Sequence, residues 1–458
     1  MPDYDNDLVI LGGGSGGYAA ALRGAGLGLR VTLVESDRLG GTCLHRGCIP
    51  TKALLHAGGV ADSVRTAGQF GVTAELTGID NVKVQQYKDS VITRLHRGLK
   101  GLIDANGITV LNGHGTLVDG HTVRVNDADI TGSNVVLATG SRPVIPRGFE
   151  PGGGVLTSDE ALALDRLPHS AIVLGGGVIG VEFASIWSSF GANVTVVEAA
   201  DRLVPADDPD SSTRLQRAFK RRKIDVRLLT TMSDLKRTSD GVEVTLDDGG
   251  TLTADVLLVA VGRAPVTESA SLAQAGVQTD TAGFVVTNDR LRTSLDSVFA
   301  VGDLVRGPQL AHRGFAQGIF VAEEVAGRNP TPVDDAGIPR ITYSQPELAS
   351  VGLLESKAQE LHGNGVRTVV YDLAGNGRSQ ILKASGSVKL VIAPDGRVVG
   401  VHLVGEHVSE LIGEAQLLTQ LGVPATDAAR LIHAHPTQGE ALGEALLVAA
   451  GTPLHAHA

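Results

Sequence analysis

The sequence predicts an α/β protein that contains two similar glycine-turn units and a smaller, different unit near its end. Residues 7–35 run from an apolar strand through the turn GGGSGG and an alanine-rich helix to a second strand that ends in Glu35. Residues 171–198 repeat this order and end in Glu198, and 23 residues separate the first turn glycine from the closing glutamate in both copies. After Pro339 short alternating strands precede two helices, which predicts an α+β unit.

The glycines of both turns have the spacing of a dinucleotide-binding βαβ unit. The first glycine allows the strand-to-helix turn, the second lets the backbone approach a pyrophosphate, and the third packs the helix on the strand. A single copy would be weak evidence, because a plain glycine turn looks the same. Two copies, each with a preceding strand and a placed acid, predict two dinucleotide sites with phosphates at helix N-termini. The predicted glycines are Gly12, Gly14, Gly17, Gly175, Gly177 and Gly180.

The two closing glutamates predict the type of ribose in each site. A carboxylate at this position binds a ribose diol and repels a 2′-phosphate. After Glu198 the chain reads AADRLVPADD, in which Arg202 is the only base among three aspartates. The second site is therefore predicted to take NAD rather than NADP.

Length and charge limit the organisation and the partners. A chain of 458 residues exceeds one hydrophobic core, and the predicted domains are residues 1–147, 148–268, 269–338 and 339–458. The third domain is expected to return to the first, and the fourth to form an interface. A net charge of −11 with dispersed acids argues against nucleic acid as a partner. The sequence shows neither a basic leader nor a bilayer-length apolar run, which predicts a cytoplasmic protein without a membrane partner.

The only two cysteines, Cys43 and Cys48, lie in GGTCLHRGCIPTK at residues 40–52. Such a pair is either redox-active or half of a metal site, and zinc would need further ligands at motif spacing. Redox chemistry is favoured, and no metal is predicted. In an ideal helix the two Cα atoms would lie about 8.6 Å apart, beyond the ~7 Å that a disulfide tolerates. The segment must therefore bend, and Gly47 and Pro50 are expected to supply the bend.

Several motifs together resemble one family over nearly the whole chain. They are GGTCLHRGCIPTK, GGGVIGVEFA, ATGSRP, VGRAP, AVGD and HAHPTQGE. They are similar to motifs of the class I pyridine nucleotide disulfide oxidoreductases. This resemblance implies FAD in the first dinucleotide domain, NAD in the second, and a homodimer joined through the last domain.

The resemblance also implies roles for individual side chains of the redox centre. Cys43 corresponds to the thiol that meets the substrate, and Cys48 to the thiol that lies against the flavin. Lys52 and Glu182 correspond to an ion pair near flavin N5. On the sequence alone, both could be ordinary helix residues.

His433, His435 and Glu440 form the last candidate group. A carboxylate partner raises the basicity of a histidine, which can then take a proton from a thiol. A single histidine beside a proline is more often structural. By resemblance, however, His435 is the base, Glu440 is its partner and His433 is auxiliary, with His435 crossing to the partner chain. Resemblance also predicts cis peptides at His435–Pro436 and Gln345–Pro346.

Further cofactor contacts are predicted outside the glycine turns. Asp303 follows the apolar strand SVFAVGDL and is placed to bind the ribityl chain of the flavin, although a structural cap is the alternative. A helix from Gln309 to Gly327 could direct its positive end at the flavin ring. The remaining contacts, besides Glu35, Lys52 and Glu198, are Thr42, Gly115, Thr139, Gly140, Ala311, Val178, Ile179 and Gly262.

Within the family, the sequence favours oxidation of dihydrolipoamide to lipoamide with NAD. Mercuric reductases and large thioredoxin reductases carry extra cysteines that this chain lacks. Glutathione reductases use NADPH, which Glu198 disfavours, and often gate the nicotinamide pocket with an aromatic residue where this chain has Val178. The expected partner is free dihydrolipoamide or the lipoyl domain of a 2-oxoacid dehydrogenase complex.

The alternatives are an NAD(P)H-dependent reductase of another small disulfide, or a quinone reductase or transhydrogenase on the same fold. His45, Arg46 and Gln345 depart from the commoner family pattern without removing a proposed reacting group.

Overall fold

The computed structural model describes residues 4–456, apart from the side chain of Ser269. The outer ends of the predicted first and last domains, residues 1–3 and 457–458, lie outside this range. The strands are β1 (Asn6–Leu11), β2 (Val31–Glu35), β3 (Thr109–Asn112), β4 (Gly115–Leu117), β5 (Thr122–Val125), β6 (Ala128–Leu137), β7 (Ser141–Pro143), β8 (Val155–Leu156), β9 (Ser170–Leu174), β10 (Asn193–Val197), β11 (Asp225–Arg227), β12 (Met232–Thr238), β13 (Gly241–Leu246), β14 (Thr251–Ala254), β15 (Val256–Val259), β16 (Arg263–Pro265), β17 (Val298–Ala300), β18 (Arg340–Thr342), β19 (Glu347–Gly352), β20 (Arg367–Asp372), β21 (Ser387–Ile392) and β22 (Val398–Gly405).

The α-helices connect these strands and cover their faces. They are α1 (Ser15–Gly26), α2 (Gly41–Arg46), α3 (Cys48–Thr66), α4 (Asn81–Ala105), α5 (Ser158–Ala161), α6 (Val178–Ser189), α7 (Pro209–Arg221), α8 (Ala311–Val325), α9 (Glu355–His362), α10 (Gly377–Leu382), α11 (Ile412–Gln420), α12 (Ala425–Ala428) and α13 (Gly439–Ala449). Within residues 4–456, none of them combines the length and the hydrophobicity that a bilayer span requires.

Each predicted glycine-turn unit forms parallel strands within a larger sheet, and the first of these sheets also has an antiparallel edge of β5 and β4. The first sheet has the order β3-β2-β1-β6-β5-β4, and β17 pairs with β6. The second has the order β11-β10-β9-β15-β8. The central strand β1 is buried and apolar from Leu8 to Leu11, and β15 is so over its whole length, as expected for parallel strands with helices on both faces. The predicted α/β class with two Rossmann-like units is confirmed.

The first glycine-turn unit is completed by a segment that follows the second unit in the sequence. β17 runs parallel to β6, with Val298 opposite Val135. Helix α8 packs along α1 and lies within the predicted span Gln309 to Gly327. The domain limits at residues 147, 268 and 338 stay a prediction.

The last unit is an antiparallel sheet of order β18-β19-β22-β21-β20, with α11 and α13 packed on it. The predicted turn at Asp395–Gly396 joins β21 to β22, with Gly396 at φ +87°. The prediction of short alternating strands after Pro339 was wrong at residues 377–382, which form helix α10. Asn376 caps that helix by accepting a hydrogen bond from the Ser379 amide at 2.8 Å, and this local signal outweighs the surrounding strand pattern.

Candidate active site

The two glycine turns have nearly the same backbone. Gly12 has φ +106° and Gly175 has φ +105°, a region that side-chain-bearing residues rarely adopt. A Cβ on Gly17 would lie 1.8 Å from the Gly12 carbonyl oxygen, and one on Gly180 would lie 1.9 Å from the Gly175 oxygen. The third glycine of each turn therefore allows the helix to lie against its own strand end.

We expect Gly17→Ala to weaken FAD binding by about tenfold or more, since overpacking at such a contact costs ~1–3 kcal/mol. Gly26→Ala on the same helix is the matched control, because a Cβ there meets nothing within 4 Å. Flavin absorbance after dialysis, with titration of the apoprotein, measures the effect. Equal FAD affinity in the two variants would contradict the packing role of Gly17.

Glu35 and Glu198 are oriented by backbone amides. Glu35 Oε2 accepts the Gly13 amide at 2.7 Å, and Glu198 Oε2 accepts the Gly176 amide at 2.5 Å. The other oxygen of each carboxylate accepts the amide two residues further along the chain, at 2.7 Å in both copies. Each glutamate thus holds its glycine turn in place and also borders the cavity between the two turns. The spacing alone did not reveal this structural role.

One continuous cavity of about 1190 Å³ reaches from the first glycine turn past the cysteines to the second. All the predicted cofactor residues line it except Gly17 and Gly180, which pack behind the turns. The lining residues from that set are Gly12, Gly14, Glu35, Thr42, Lys52, Gly115, Thr139, Gly140, Gly175, Gly177, Val178, Ile179, Glu198, Gly262, Asp303 and Ala311.

The polar groups at this cavity fit two dinucleotides. Helices α1 and α6 begin after Gly14 and Gly177, and neither helix start has a side-chain cap among the described residues. Their first N–H groups are therefore available to phosphate oxygens. Gln309 also lines the cavity, and its Nε2 is buried without a partner in the described chain.

The cysteines lie on two helices that break at Gly47. Cys43 belongs to α2, Cys48 begins α3, and Gly47 between them has φ −146° and ψ −114°. A Cβ on Gly47 would lie 3.0 Å from the Thr42 carbonyl oxygen, so the close approach favours glycine. The predicted bend is present, but Pro50 does not cause it. Pro50 is the third residue of α3, where a missing amide costs no helical bond.

Both cysteines are free thiols here, and they are unequal in acidity. The hydrogen bond from Cys43, helped by the Lys52 ammonium, outweighs burial and lowers the pKa of Cys48 to about 7. The same hydrogen bond, together with burial, raises the pKa of Cys43. In the reduced pair, Cys48 is therefore the thiolate near neutral pH and Cys43 keeps its proton.

Lys52 and Glu182 meet as predicted, although 130 residues separate them in the chain. Lys52 Nζ lies 2.9 Å from both carboxylate oxygens of Glu182, which is buried. Burial alone would lower the pKa of Lys52, but the charge of Glu182 outweighs it and raises the pKa. The Tyr343 amide donates a further bond to Glu182 Oε1 at 2.9 Å. The pair is therefore a fixed, charged group beside the cysteines.

Asp303 lies at the cavity inside the short turn Gly302–Leu304, which it does not cap. Its Oδ2 accepts the Ser141 hydroxyl at 2.5 Å, and Arg263 Nε donates to that hydroxyl at 2.8 Å. Ser141 and Arg263 were not singled out from the sequence. The motifs ATGSRP and VGRAP, which contain Ser141 and Arg263, could have indicated them. The strands of these motifs, β7 and β16, hydrogen-bond to each other.

His435 lies apart from the cavity. Its Nδ1 is 2.8 Å from Glu440 Oε1, and the Thr437 amide donates to the other Glu440 oxygen at 2.7 Å. Burial would raise the pKa of Glu440, but these two hydrogen bonds outweigh it and lower the pKa. The side chain of His435 is 73% exposed and does not border the cavity in the described chain.

The auxiliary histidine has a different partner. His433 Nε2 lies 2.8 Å from Glu414 Oε1 on α11, a residue that the sequence reasoning missed. The two histidines therefore have separate carboxylate partners. The peptides His435–Pro436 and Gln345–Pro346 are both cis, as predicted.

Two residues that depart from the family pattern lie between the cysteines. His45 Nε2 is 2.9 Å from the Leu39 carbonyl oxygen, which also lies 3.0 Å from His96 Nδ1. Burial lowers the pKa of His45, which keeps this ring neutral. Arg46 forms an ion pair with Asp37 at 2.8 Å, at the rim of the cavity.

Family models match both parts of the chain. Residues 6–318 match the pyridine nucleotide-disulphide oxidoreductase model, and residues 338–446 match the dimerisation domain of the same proteins. The chain belongs to the pyridine nucleotide-disulphide oxidoreductase family. This oxidoreductase is a flavoprotein that uses FAD and NAD. The second match supports a homodimer.

Curated relatives of this oxidoreductase cover almost its full length. A dihydrolipoyl dehydrogenase of Bacillus subtilis (strain 168) is 38% identical over 461 residues, with 98% of each chain covered. Dihydrolipoyl dehydrogenase 2 of Haloarcula marismortui is 39% identical over 465 residues, again with 98% of each chain covered.

Solved structures agree with this assignment. LpdA from Mycobacterium tuberculosis matches with a TM-score of 0.89 and 26% identity, over 96% of this chain and 98% of that one. The HOCl-induced flavoprotein disulfide reductase RclA from Escherichia coli matches with a TM-score of 0.87 and 29% identity, over 96% of this chain and 99% of that one.

Within residues 4–456, no group of three or more His, Cys, Asp or Glu side chains could hold a metal ion.

Proposed function

We propose that this oxidoreductase oxidises dihydrolipoamide to lipoamide with NAD as the electron acceptor. The observation that carries the proposal is the unequal thiol pair Cys43 and Cys48, which lines the cavity that reaches both dinucleotide turns. The name shared by the curated relatives supports the same substrate.

The thiol steps follow from the acidity of the two cysteines. In the oxidised enzyme the two sulfurs form a disulfide. A substrate thiolate attacks Cys43 Sγ, the Cys43–Cys48 bond breaks, and Cys48 leaves as the thiolate. A low pKa favours Cys48 as the leaving group. The second substrate thiol then loses its proton and displaces Cys43, which takes up a proton. The dithiol becomes a disulfide, the enzyme disulfide becomes the Cys43 thiol and the Cys48 thiolate, and one proton is released.

His435 is the proposed base for this exchange. It takes the proton of the attacking substrate thiol and later returns one to Cys43. Glu440, held by the Thr437 amide, orients the ring and fixes its tautomer, because its oxygen meets Nδ1 and leaves Nε2 directed outward. Glu440 is therefore a positioning residue, and His433 with Glu414 supports the same loop.

The cofactors would be held by the residues that line the cavity. Bound FAD and NAD supply the hydride chemistry that carries two electrons from the reduced cysteines to the nicotinamide. Glu35 and Glu198 would bind the ribose diols, and the starts of α1 and α6 would bind the pyrophosphates. Asp303 would bind the ribityl chain, and Val178 would leave the nicotinamide pocket open. The Lys52 ammonium, held by Glu182, lowers the pKa of Cys48.

We expect Glu198→Ala to reduce the preference for NAD over NADP by at least about tenfold, because the carboxylate repels a 2′-phosphate. If the substitution also distorts the glycine turn, kcat/KM falls for both cofactors, and this shared loss cancels in the ratio of the two values. Asp201→Ala, which removes an exposed acid of the same loop, is the control. An unchanged ratio in Glu198→Ala would mean that this residue does not read the ribose.

Steady-state turnover tests the proposed substrate. We expect dihydrolipoamide with NAD to be turned over far faster than glutathione disulfide with NADPH. The reverse ranking would favour a reductase of another small disulfide. We further infer that the partner is the lipoyl domain of a 2-oxoacid dehydrogenase complex, and that the enzyme works in the cytoplasm.

A further inference from the structure

Behind the Lys52–Glu182 pair, four parts of the chain meet at one arginine. Arg222 follows α7, and its Nη1 donates to Gln345 Oε1. Its Nη2 donates to Asp62 Oδ2 at 3.1 Å and to Ser189 Oγ at 2.8 Å. Ser189 Oγ itself donates to Asp62 at 2.7 Å. The forked guanidinium therefore joins α3, α6 and the segment before β19.

The helices joined in this way carry the charged pair. Lys52 and Asp62 lie on α3, and Glu182 and Ser189 lie on α6. Gln345 belongs to residues 343–346, and its backbone N–H donates to Ser185 Oγ of α6 at 3.3 Å. The same segment supplies the Tyr343 amide that donates to Glu182 Oε1, and the Tyr343 ring lies 4.8 Å from Lys52 Nζ.

We propose that Arg222 and Gln345 are positioning residues that hold the Tyr343 amide on Glu182 and so fix the Lys52–Glu182 pair. None of Arg222, Gln345 and Asp62 lines the cavity in the described chain, so they act without touching substrate or cofactor. Gln345 is one of the departures from the family pattern, and here it supplies the acceptor that anchors the segment. The inference rests on the role proposed above for Lys52 and Glu182.

The first test is a double-mutant cycle on turnover. Gln345→Leu removes the acceptor, and we expect kcat to fall between about 10-fold and 100-fold with KM unchanged, as for misplacement of a group by about 1 Å. In a Glu182→Gln background the same substitution should have almost no further effect, because it acts through Glu182. Equal losses in both backgrounds would show a merely structural role and overturn the proposal.

Conservative variants separate the hydrogen bond from folding. Gln345→Glu keeps an acceptor for Arg222 and should retain the parent kcat. Arg222→Lys keeps the charge but not the fork, so it should lose activity as Gln345→Leu does. Arg221→Met, at the exposed neighbour of Arg222, is the control and should behave as the parent. Loss of kcat in Gln345→Glu equal to that in Gln345→Leu would contradict the acceptor role.

A second readout needs neither substrate nor turnover. Glu182 raises the pKa of Cys48 and Lys52 lowers it, so freeing Glu182 from the Tyr343 amide should move the pH midpoint of Cys48 alkylation upward. The reduced holoenzyme is treated with iodoacetamide over a pH series. Trypsin cleavage after Arg46 separates the two cysteines for mass spectrometry.

The two readouts distinguish the two hypotheses. We expect a higher midpoint in Gln345→Leu and no such rise in the Glu182→Gln background. If this pattern appears while dihydrolipoamide is not oxidised, the positioning role stands and the proposed substrate fails. A parental midpoint in Gln345→Leu, in an enzyme that oxidises dihydrolipoamide normally, would overturn the positioning role alone.

Discussion

Chains with Cys43→Ser and chains with His435→Gln, each inactive as a homodimer, should recover about a quarter of parental activity when refolded together. Random pairing makes about half of the dimers mixed. Each mixed dimer then holds one intact site, with Cys43 from one chain and His435 from the other. The expected recovery follows only if every site is shared between two chains.

The structure motivates a shared site in two ways. His435 is exposed and lies off the cavity that contains Cys43, so within one chain the proposed base does not reach the thiol. Ile432, three residues before it, is 99% exposed, as expected for a residue that a partner covers. Both residues lie in the segment that matches the dimerisation domain.

A reverse mixture provides the control. An equal mixture of parent chains and chains with both substitutions should retain about a quarter of parental activity if sites are shared, because only parent homodimers are active. If each site lies within one chain, the mixture should retain about half. Mass spectrometry establishes that mixed dimers form. Background activity in the first mixture and half activity in the second would together refute the shared site.

Cys43→Ser should lower kcat with dihydrolipoamide by at least about a thousandfold, because a hydroxyl cannot form the mixed disulfide and removal of a nucleophile has effects of this order. Cys48→Ser should do the same, since no enzyme disulfide can then form. Both variants keep the two dinucleotide turns, so they should still oxidise NADH with ferricyanide, which needs no thiol. That assay is the internal control for folding and cofactor content.

Turnover of dihydrolipoamide by Cys43→Ser within tenfold of the parent would contradict the thiol mechanism. A different result would favour a quinone reductase or transhydrogenase on this fold. In that case the parent forms little lipoamide, and Cys43→Ser reduces quinones or transfers hydride between nicotinamides at the parental rate. The pair of substitutions therefore also separates the two classes of function.

Local chemistry was predictable from the sequence. The turns at Gly12 and Gly175 need glycine because of their own backbone angles and their own neighbours, and the closing glutamates follow at a set distance. The break between Cys43 and Cys48 lies at Gly47, as the geometry of a helix required. These features depend on a few consecutive residues, so a short pattern determines them.

Contacts between distant parts of the chain were decided by the tertiary structure. The pairing of Lys52 with Glu182 was predicted from the family resemblance and not from the spacing of the two residues. No local pattern predicted four further features of the site. They are the hydrogen bond from Ser141 to Asp303, the partner of His433, the hydrogen bond from Arg222 to Gln345, and the distance of His435 from the cavity. Each depends on how separately folded sheets and helices pack, and packing brings together residues whose separation in sequence carries no information about their distance in space.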